Sequence, residues 1–176
     1  MKVAIARYGA GNVRSVELAL RRLGADVTDD LAGADLAILP GVGSARSAME
    51  GLGASVGVLR ERHAAGRPIL GICLGLQLAL DESEEDGGVE GLGIVPGRAV
   101  RLHGERVPRI GWAQVEPSGE AYWFAHSYEV KTDATVATSE GHSAIVEHGS
   151  FTGVQFHPEK SGAAGARFLE QCLSRG

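Results

Sequence analysis

Short apolar runs alternate with helical spacings through the first eighty residues. Residues 3–6 form a compact apolar run that reads as a strand. Val13, Val16, Leu20 and Leu23 then recur at helical spacing behind Asn12, a residue suited to capping a helix, and Gly24 ends the pattern. Residues 26–28 read as a short strand, and residues 36–39 as a buried strand closed by Pro40-Gly41. Residues 56–65 carry a helical pattern stopped by Gly66. Residues 69–72 give the next buried strand, with an apolar helix over 74–80 directly behind it. This β–α alternation predicts an α/β fold, in which helices cover both faces of a mostly parallel sheet.

Past Asp81 the pattern changes. Residues 81–91 are acidic and glycine-rich and read as an exposed loop. Short candidate strands follow at 93–95, 115, 123–124, 128–130, 144–147 and 151–155, separated by turn residues. They predict a mixed or antiparallel extension of the sheet. Residues 163–173 form an apolar-faced helix. No internal repeat or flexible linker interrupts the pattern, so one domain spanning 1–176 is expected.

Composition narrows the function classes. A formal charge of −5 and the lack of any Lys/Arg cluster argue against a nucleic-acid partner. No apolar run is long enough to span a bilayer, and the first one is too short for a signal-peptide core, so a cytoplasmic location is expected. Cys73 and Cys172 then read as reduced thiols rather than a disulfide. No histidine–cysteine spacing suits a metal, and no cofactor is expected.

Two segments carry chemistry. In Gly71-Ile72-Cys73-Leu74-Gly75-Leu76-Gln77 a strand ends at a cysteine, a helix begins directly after it, and glycine stands two residues away on each side. That spacing fits a nucleophile elbow, whose sharp turn leaves no room for a Cβ at the flanking positions. A sulfur at the start of a helix faces free backbone N–H groups, which favour the thiolate and hold an oxyanion during acyl transfer. In Gly153-Val154-Gln155-Phe156-His157-Pro158-Glu159, a histidine and a carboxylate stand two residues apart around a proline. Taken as an extended turn, this places the carboxylate on one imidazole nitrogen and leaves the other for Cys73. Of the other histidines only His126, in Phe124-Ala125-His126-Ser127-Tyr128, has a strand-like aromatic setting, and it reads as structural or pocket-lining.

Both motifs, in this order, resemble those of the class I (triad-type) glutamine amidotransferases. The likeness extends to Tyr8-Gly9-Ala10-Gly11-Asn12, Pro40-Gly41-Val42-Gly43, Val107-Pro108-Arg109-Ile110-Gly111-Trp112 and Lys160-Ser161. Within the family it points to the branch that delivers ammonia from L-glutamine to a (β/α)8-barrel cyclase subunit in histidine biosynthesis, as a heterodimer. The resemblance implies a flavodoxin-like three-layer sandwich and a thioester mechanism carried by Cys73, His157 and Glu159. It implies an oxyanion site at the amides of Val42 and Leu74, substrate contacts at Gly43, Gln77, Ser127 and Tyr128, and a partner interface at Asn12, Trp112 and Lys160. The chain departs from the family at Arg7, Arg109, Ala113 and Trp123, where Asp, His, Asn and Tyr are usual. Three other readings are a glutaminase serving an anthranilate- or aminodeoxychorismate-type synthase, a regulatory module without turnover, and a cysteine peptidase on a related scaffold.

Overall fold

The computed structural model describes residues 1–9, 13–41, 43–104 and 107–174. Strands β1 (Lys2–Ile5), β2 (Asp26–Thr28), β3 (Leu36–Leu39) and β4 (Ile69–Ile72) alternate with helices α1 (Arg14–Arg22), α2 (Ala45–Leu52), α3 (Ser55–Ala64) and α4 (Leu74–Leu78). There follow β5 (Glu82–Ser83), β6 (Val89–Glu90), β7 (Arg98–Arg101), β8 (Arg109–Val115), β9 (Glu120–His126), β10 (Tyr128–Lys131), β11 (Thr135–Ser139), β12 (His142–His148), β13 (Phe151–Val154) and α5 (Gly162–Ser174).

The main sheet has the order β11-β12-β13-β4-β3-β1-β2. Its β13-β4-β3-β1-β2 portion is parallel, and β12 and β11 extend it antiparallel. Strand alternation divides the core in two. Ala37, Leu39 and Ile69 pack with Ala48, Leu59 and Leu76 from α2, α3 and α4. Leu36, Ile38, Leu70 and Ile72 pack with Val16, Leu20 and Leu169 from α1 and α5. Each such Leu, Ile or Val side chain contributes roughly 1.5–3 kcal/mol by leaving water, so the sheet is stable only with both faces covered. The result is the flavodoxin-like three-layer arrangement.

Several sequence expectations are corrected. The segment 81–91 is largely exposed, as expected, but it is not a loop. It forms β5, a single turn of 3-10 helix (Glu85–Gly87) and β6, within a second sheet ordered β10-β7-β5-β6. Its acidic residues face the start of α2, which the sequence reading missed. The Glu85 carboxylate accepts the Ala45 N–H (2.9 Å) and the Asp86 carboxylate accepts the Arg46 N–H (3.1 Å). The free amides of a helix start are thus capped by carboxylates forty residues away in sequence, where their charge also suits the helix dipole. Residues 93–95 are not a strand either. Ile94 and Val95 are buried and donate their amides to the Ala79 carbonyl, wrapping the end of α4, and the strand lies just beyond, at β7. Strand β11 was also missed, because its sequence, TVATS, is largely polar. The residue flanking α1 is Val13, which offers no capping side chain, and Asn12 lies outside the described residues.

Among the described residues, strands β8 and β9 pair only with each other, in a hairpin. One face carries Tyr122 and Phe124, packed on Phe156. The other presents Ile110 and Trp112, exposed by 62% and 57%. Among the described residues no helix is long and apolar enough to cross a membrane, and no group of three or more His, Cys, Asp or Glu residues could hold a metal ion.

Candidate active site

Cys73 occupies the corner where β4 turns into α4, with φ +50° and ψ −105°. A side chain bearing a Cβ rarely adopts positive φ, and this strain, of order 1–3 kcal/mol, persists only where neighbours enforce it. The neighbours here are close. A Cβ on Gly75 would overlap the Leu39 carbonyl, one on Gly71 would meet the Phe151 ring at 2.7 Å, and one on Gly41 would lie 2.7 Å from the Cys73 Cβ. The Cβ on Gly71 would also lie 2.8 Å from the Gly75 carbonyl and the Leu76 amide, so Gly71 answers to the turn as well as to the core, while Gly75 answers to the adjoining strand. They leave the sulfur over the C-terminal end of the parallel strands.

Strand β13 lies beside β4 with Val154 opposite Ile72, and the Cys73 amide donates to the Val154 carbonyl (2.7 Å). Chain continuing past β13 therefore arrives at the sulfur. The His157 backbone is held on both sides: its amide donates to the Trp123 carbonyl (2.8 Å), and its carbonyl accepts from the buried Ser161 hydroxyl (2.6 Å). Ser161 Oγ in turn accepts the Trp123 amide (2.9 Å), tying this segment to the hairpin. His157 Nδ1 meets Glu159 Oε1 at 2.9 Å, within a 3-10 turn (Pro158–Lys160) rather than the extended turn expected from sequence. The Cys73 thiol is near enough to the imidazole to act on its pKa, so thiol, imidazole and carboxylate form one line of neighbours.

This line is nearly dry, with the His157 and Glu159 side chains only 6% and 4% exposed. Burial alone would lower the His157 pKa, but the hydrogen bonds and charges of Cys73 and Glu159 outweigh it and raise the pKa to about 9. A histidine whose folded pKa is raised adds stability that is complete below its unfolded value, near 6.5, and is lost as pH climbs through about 9. Urea midpoints measured at pH 6 and pH 9.5 are therefore expected to fall further for the wild type than for His157→Gln. The difference is on the order of 1 kcal/mol per pH unit at its steepest. Equal falls would show that the fold does not favour the imidazolium.

A cavity of about 230 Å³ opens on Cys73 and is lined by Gly43, Leu74, Gln77, Ser127 and Tyr128, all of which the sequence placed at a substrate site. Val42 lies outside the described residues. Trp112 does not reach this cavity. It borders a larger groove of about 760 Å³, which shares Pro108 and Ile110 with the cavity. Lys160 is exposed beside the His157–Glu159 turn. Arg109 pairs with Glu140 (3.0 Å) and lies 4.2 Å over the Phe124 ring, filling the site where the family usually has His.

Three residues of the site were missed or left undefined by sequence reasoning. Glu85 brings a carboxylate into the cavity lining, although its segment had looked solvent-exposed. Gln155 is fully buried and donates from Nε2 to the Cys73 sulfur (3.6 Å), a place its position two before His157 could have signalled. His126 lines the cavity, but burial pushes its pKa down to about 4, and its Nδ1–H donates to the Tyr128 carbonyl (2.8 Å). It is thus a neutral ring at ordinary pH, which leaves His157, outside the cavity lining and beside Cys73, as the proton-carrying histidine of the site.

Comparison with known proteins matches residues 3–175 to the family model "Glutamine amidotransferase class-I". Imidazole glycerol phosphate synthase subunit HisH of Methanothermobacter thermautotrophicus is 44% identical, over 95% of this chain and 95% of its own. The subunit of the same name from Exiguobacterium sibiricum is 42% identical over 96% and 93%. Among solved structures, a glutamine amidotransferase superposes with a TM-score of 0.81 at 19% identity, covering 98% of this chain and 97% of the other. PurLQS from Thermotoga maritima superposes with a TM-score of 0.77 at 20% identity, covering 99% and 98%. The two superpositions speak for the fold alone.

Proposed function

As this chain belongs to the class-I glutamine amidotransferases, we propose that it is the glutaminase subunit of an imidazole glycerol phosphate synthase, with Cys73, His157 and Glu159 as its catalytic residues. The observation that carries the residue assignment is the buried line from the Cys73 sulfur through His157 to Glu159 Oε1. The full-length similarity to subunits of that name supports the choice of synthase.

Glutamine enters the cavity with its carboxamide toward Cys73. Both N–H bonds of Gln77 Nε2 are engaged, with the Tyr128 carbonyl (3.0 Å) and Gln155 Oε1 (3.1 Å), so Gln77 meets the substrate through its carbonyl oxygen. The Glu85 carboxylate in the lining suits the substrate's α-ammonium group. The thiolate adds to the carboxamide carbon, and the oxyanion is held by the amides of Leu74, at the open start of α4, and of Val42. The His157 imidazolium gives its proton to the departing nitrogen, and ammonia leaves a glutamyl thioester. Having given up its proton, and with no thiolate left to hold it in the charged form, His157 is now a neutral base. It takes a proton from water as the water attacks the thioester, and glutamate and the thiolate are released. Glu159 keeps the imidazole oriented and offsets its charge throughout.

Ammonia then passes to a (β/α)8-barrel cyclase docked on the hairpin, with Trp112, Lys160 and Asn12 at the interface. Exposed Trp112 and Ile110, beside a groove that shares Pro108 and Ile110 with the cavity, form the kind of apolar patch a partner covers. The cyclase joins ammonia to a phosphoribulosyl-formimino aminoimidazole nucleotide. The test is ammonia release from glutamine by the chain alone and with a barrel cyclase and its nucleotide ligand. Glutamine-dependent turnover in the mixture is expected. Preferential capture of a chorismate-using synthase would overturn the choice of partner, and no turnover with any synthase would overturn the enzyme reading.

A further inference from the structure

We infer that Gln155 is a thiolate-stabilising residue, held in the donating orientation by a relay that starts at the Tyr128 backbone carbonyl and runs through Gln77. This deepens the glutaminase reading above and rests on it for its catalytic meaning.

A buried primary amide is costly unless its polar atoms are satisfied. Gln155 is fully buried, and its side chain makes two hydrogen bonds: Oε1 accepts from Gln77 Nε2 (3.1 Å) and Nε2 donates to Cys73 Sγ (3.6 Å). An amide can flip, so its polarity needs an anchor that cannot. The Tyr128 carbonyl only accepts, and it takes a hydrogen from Gln77 Nε2 (3.0 Å). That contact turns the Gln77 nitrogen inward, which obliges Gln155 to present its oxygen to Gln77 and its nitrogen to the sulfur. Reversing Gln155 would set its carbonyl against an electron-rich sulfur and its NH2 against another NH2. The sulfur thus has two kinds of neighbour. A protonated thiol can donate to the Ala125 carbonyl (3.8 Å), whereas a thiolate is met by donors from Gln155 and His157. A donor fixed on the sulfur favours its ionised form. Gln77, which also lines the cavity, serves as a positioning residue for Gln155.

The test is the pH profile of Cys73 alkylation by iodoacetamide in the folded chain, with Cys172 replaced by alanine throughout. Gln155→Leu keeps the bulk and cannot donate. Gln155→Glu still accepts from Gln77 and, when ionised, cannot donate. The half-maximal alkylation pH is expected to rise by about one unit in Gln155→Leu, the size of one hydrogen bond to a charged group, and further in Gln155→Glu. In glutamine hydrolysis, kcat should fall about tenfold with KM little changed. Melting temperatures identify either variant that fails to fold, and the other then decides. Profiles that overlay the wild type would overturn the inference and leave Gln155 as packing. Alkylation needs no turnover, so an inactive wild type would sink the glutaminase reading while this profile still decided the role of Gln155.

Discussion

Replacing Cys73 by alanine in the assembled synthase should abolish glutamine-dependent product formation, by roughly 10^4-fold or more, while synthesis from added ammonium salts continues. The first effect follows from losing the only atom able to form the thioester, since removing a covalent nucleophile disables the whole triad. The second follows from the architecture. The sulfur sits over the strand ends, and alanine keeps the β4–α4 corner and its backbone bond to Val154, so the hairpin face proposed for the partner is unaltered. Alanine is the right replacement because glycine would relax the positive φ of this corner and so change the elbow itself. Parallel assays with glutamine and with ammonium chloride on one preparation give the answer. If both activities disappear, Cys73 serves assembly and the assigned chemistry is wrong.

Gly75→Ala should be strongly damaging for a single added methyl group. Its Cβ would overlap the Leu39 carbonyl oxygen and approach the Leu39 Cβ to 2.8 Å, and both belong to a strand fully buried in the sheet. Neither can give way as the end of a flexible side chain could, so β3 and α4 must separate. Overpacking of this kind costs about 1–3 kcal/mol, and more where backbone must move. The urea midpoint should fall accordingly, and glutamine turnover should fall further than the midpoint implies, because α4 carries the Leu74 amide. Gly57→Ala provides the contrast. It sits in α3 with nothing within 4 Å of its added Cβ and should gain about 0.5–1 kcal/mol. Equal stability for the two variants would mean that the β3–α4 contact is loose.

The parts of this molecule that were legible in sequence are those where one local pattern meets one physical demand. Residues 36–39 and 69–72 are apolar on both faces because helices cover both, and the observed strands match those bounds. The elbow was readable because only glycine fits beside it, and the His157–Glu159 pair because two residues suffice to make it. What escaped depends on distant chain. Glu85 looks like surface until α2 supplies the amide it caps, and α2 itself, ARSAMEGL, has too few large apolar positions to show a period. Strand β11 is polar enough to pass for loop, and its partner β12 defines it. Gln155 had no apparent role while the sulfur 82 positions earlier was not known to lie against it.

The alternation at the end of β13 has a consequence for anyone who edits this scaffold. Gln155 and His157 both reach the sulfur, while Phe156 between them stacks on Tyr122 at a ring separation of 4.0 Å. β13 lies in parallel register with β4, and a deletion in the Gly149-Ser150 turn that slid the strand by one position would turn every side chain of β13 to the opposite face. That slip would swing a benzene ring toward the nucleophile and drive the imidazole into an aromatic cluster. Changes to the Gly149-Ser150 turn must therefore leave the β13–β4 register where it is, however freely their composition is chosen.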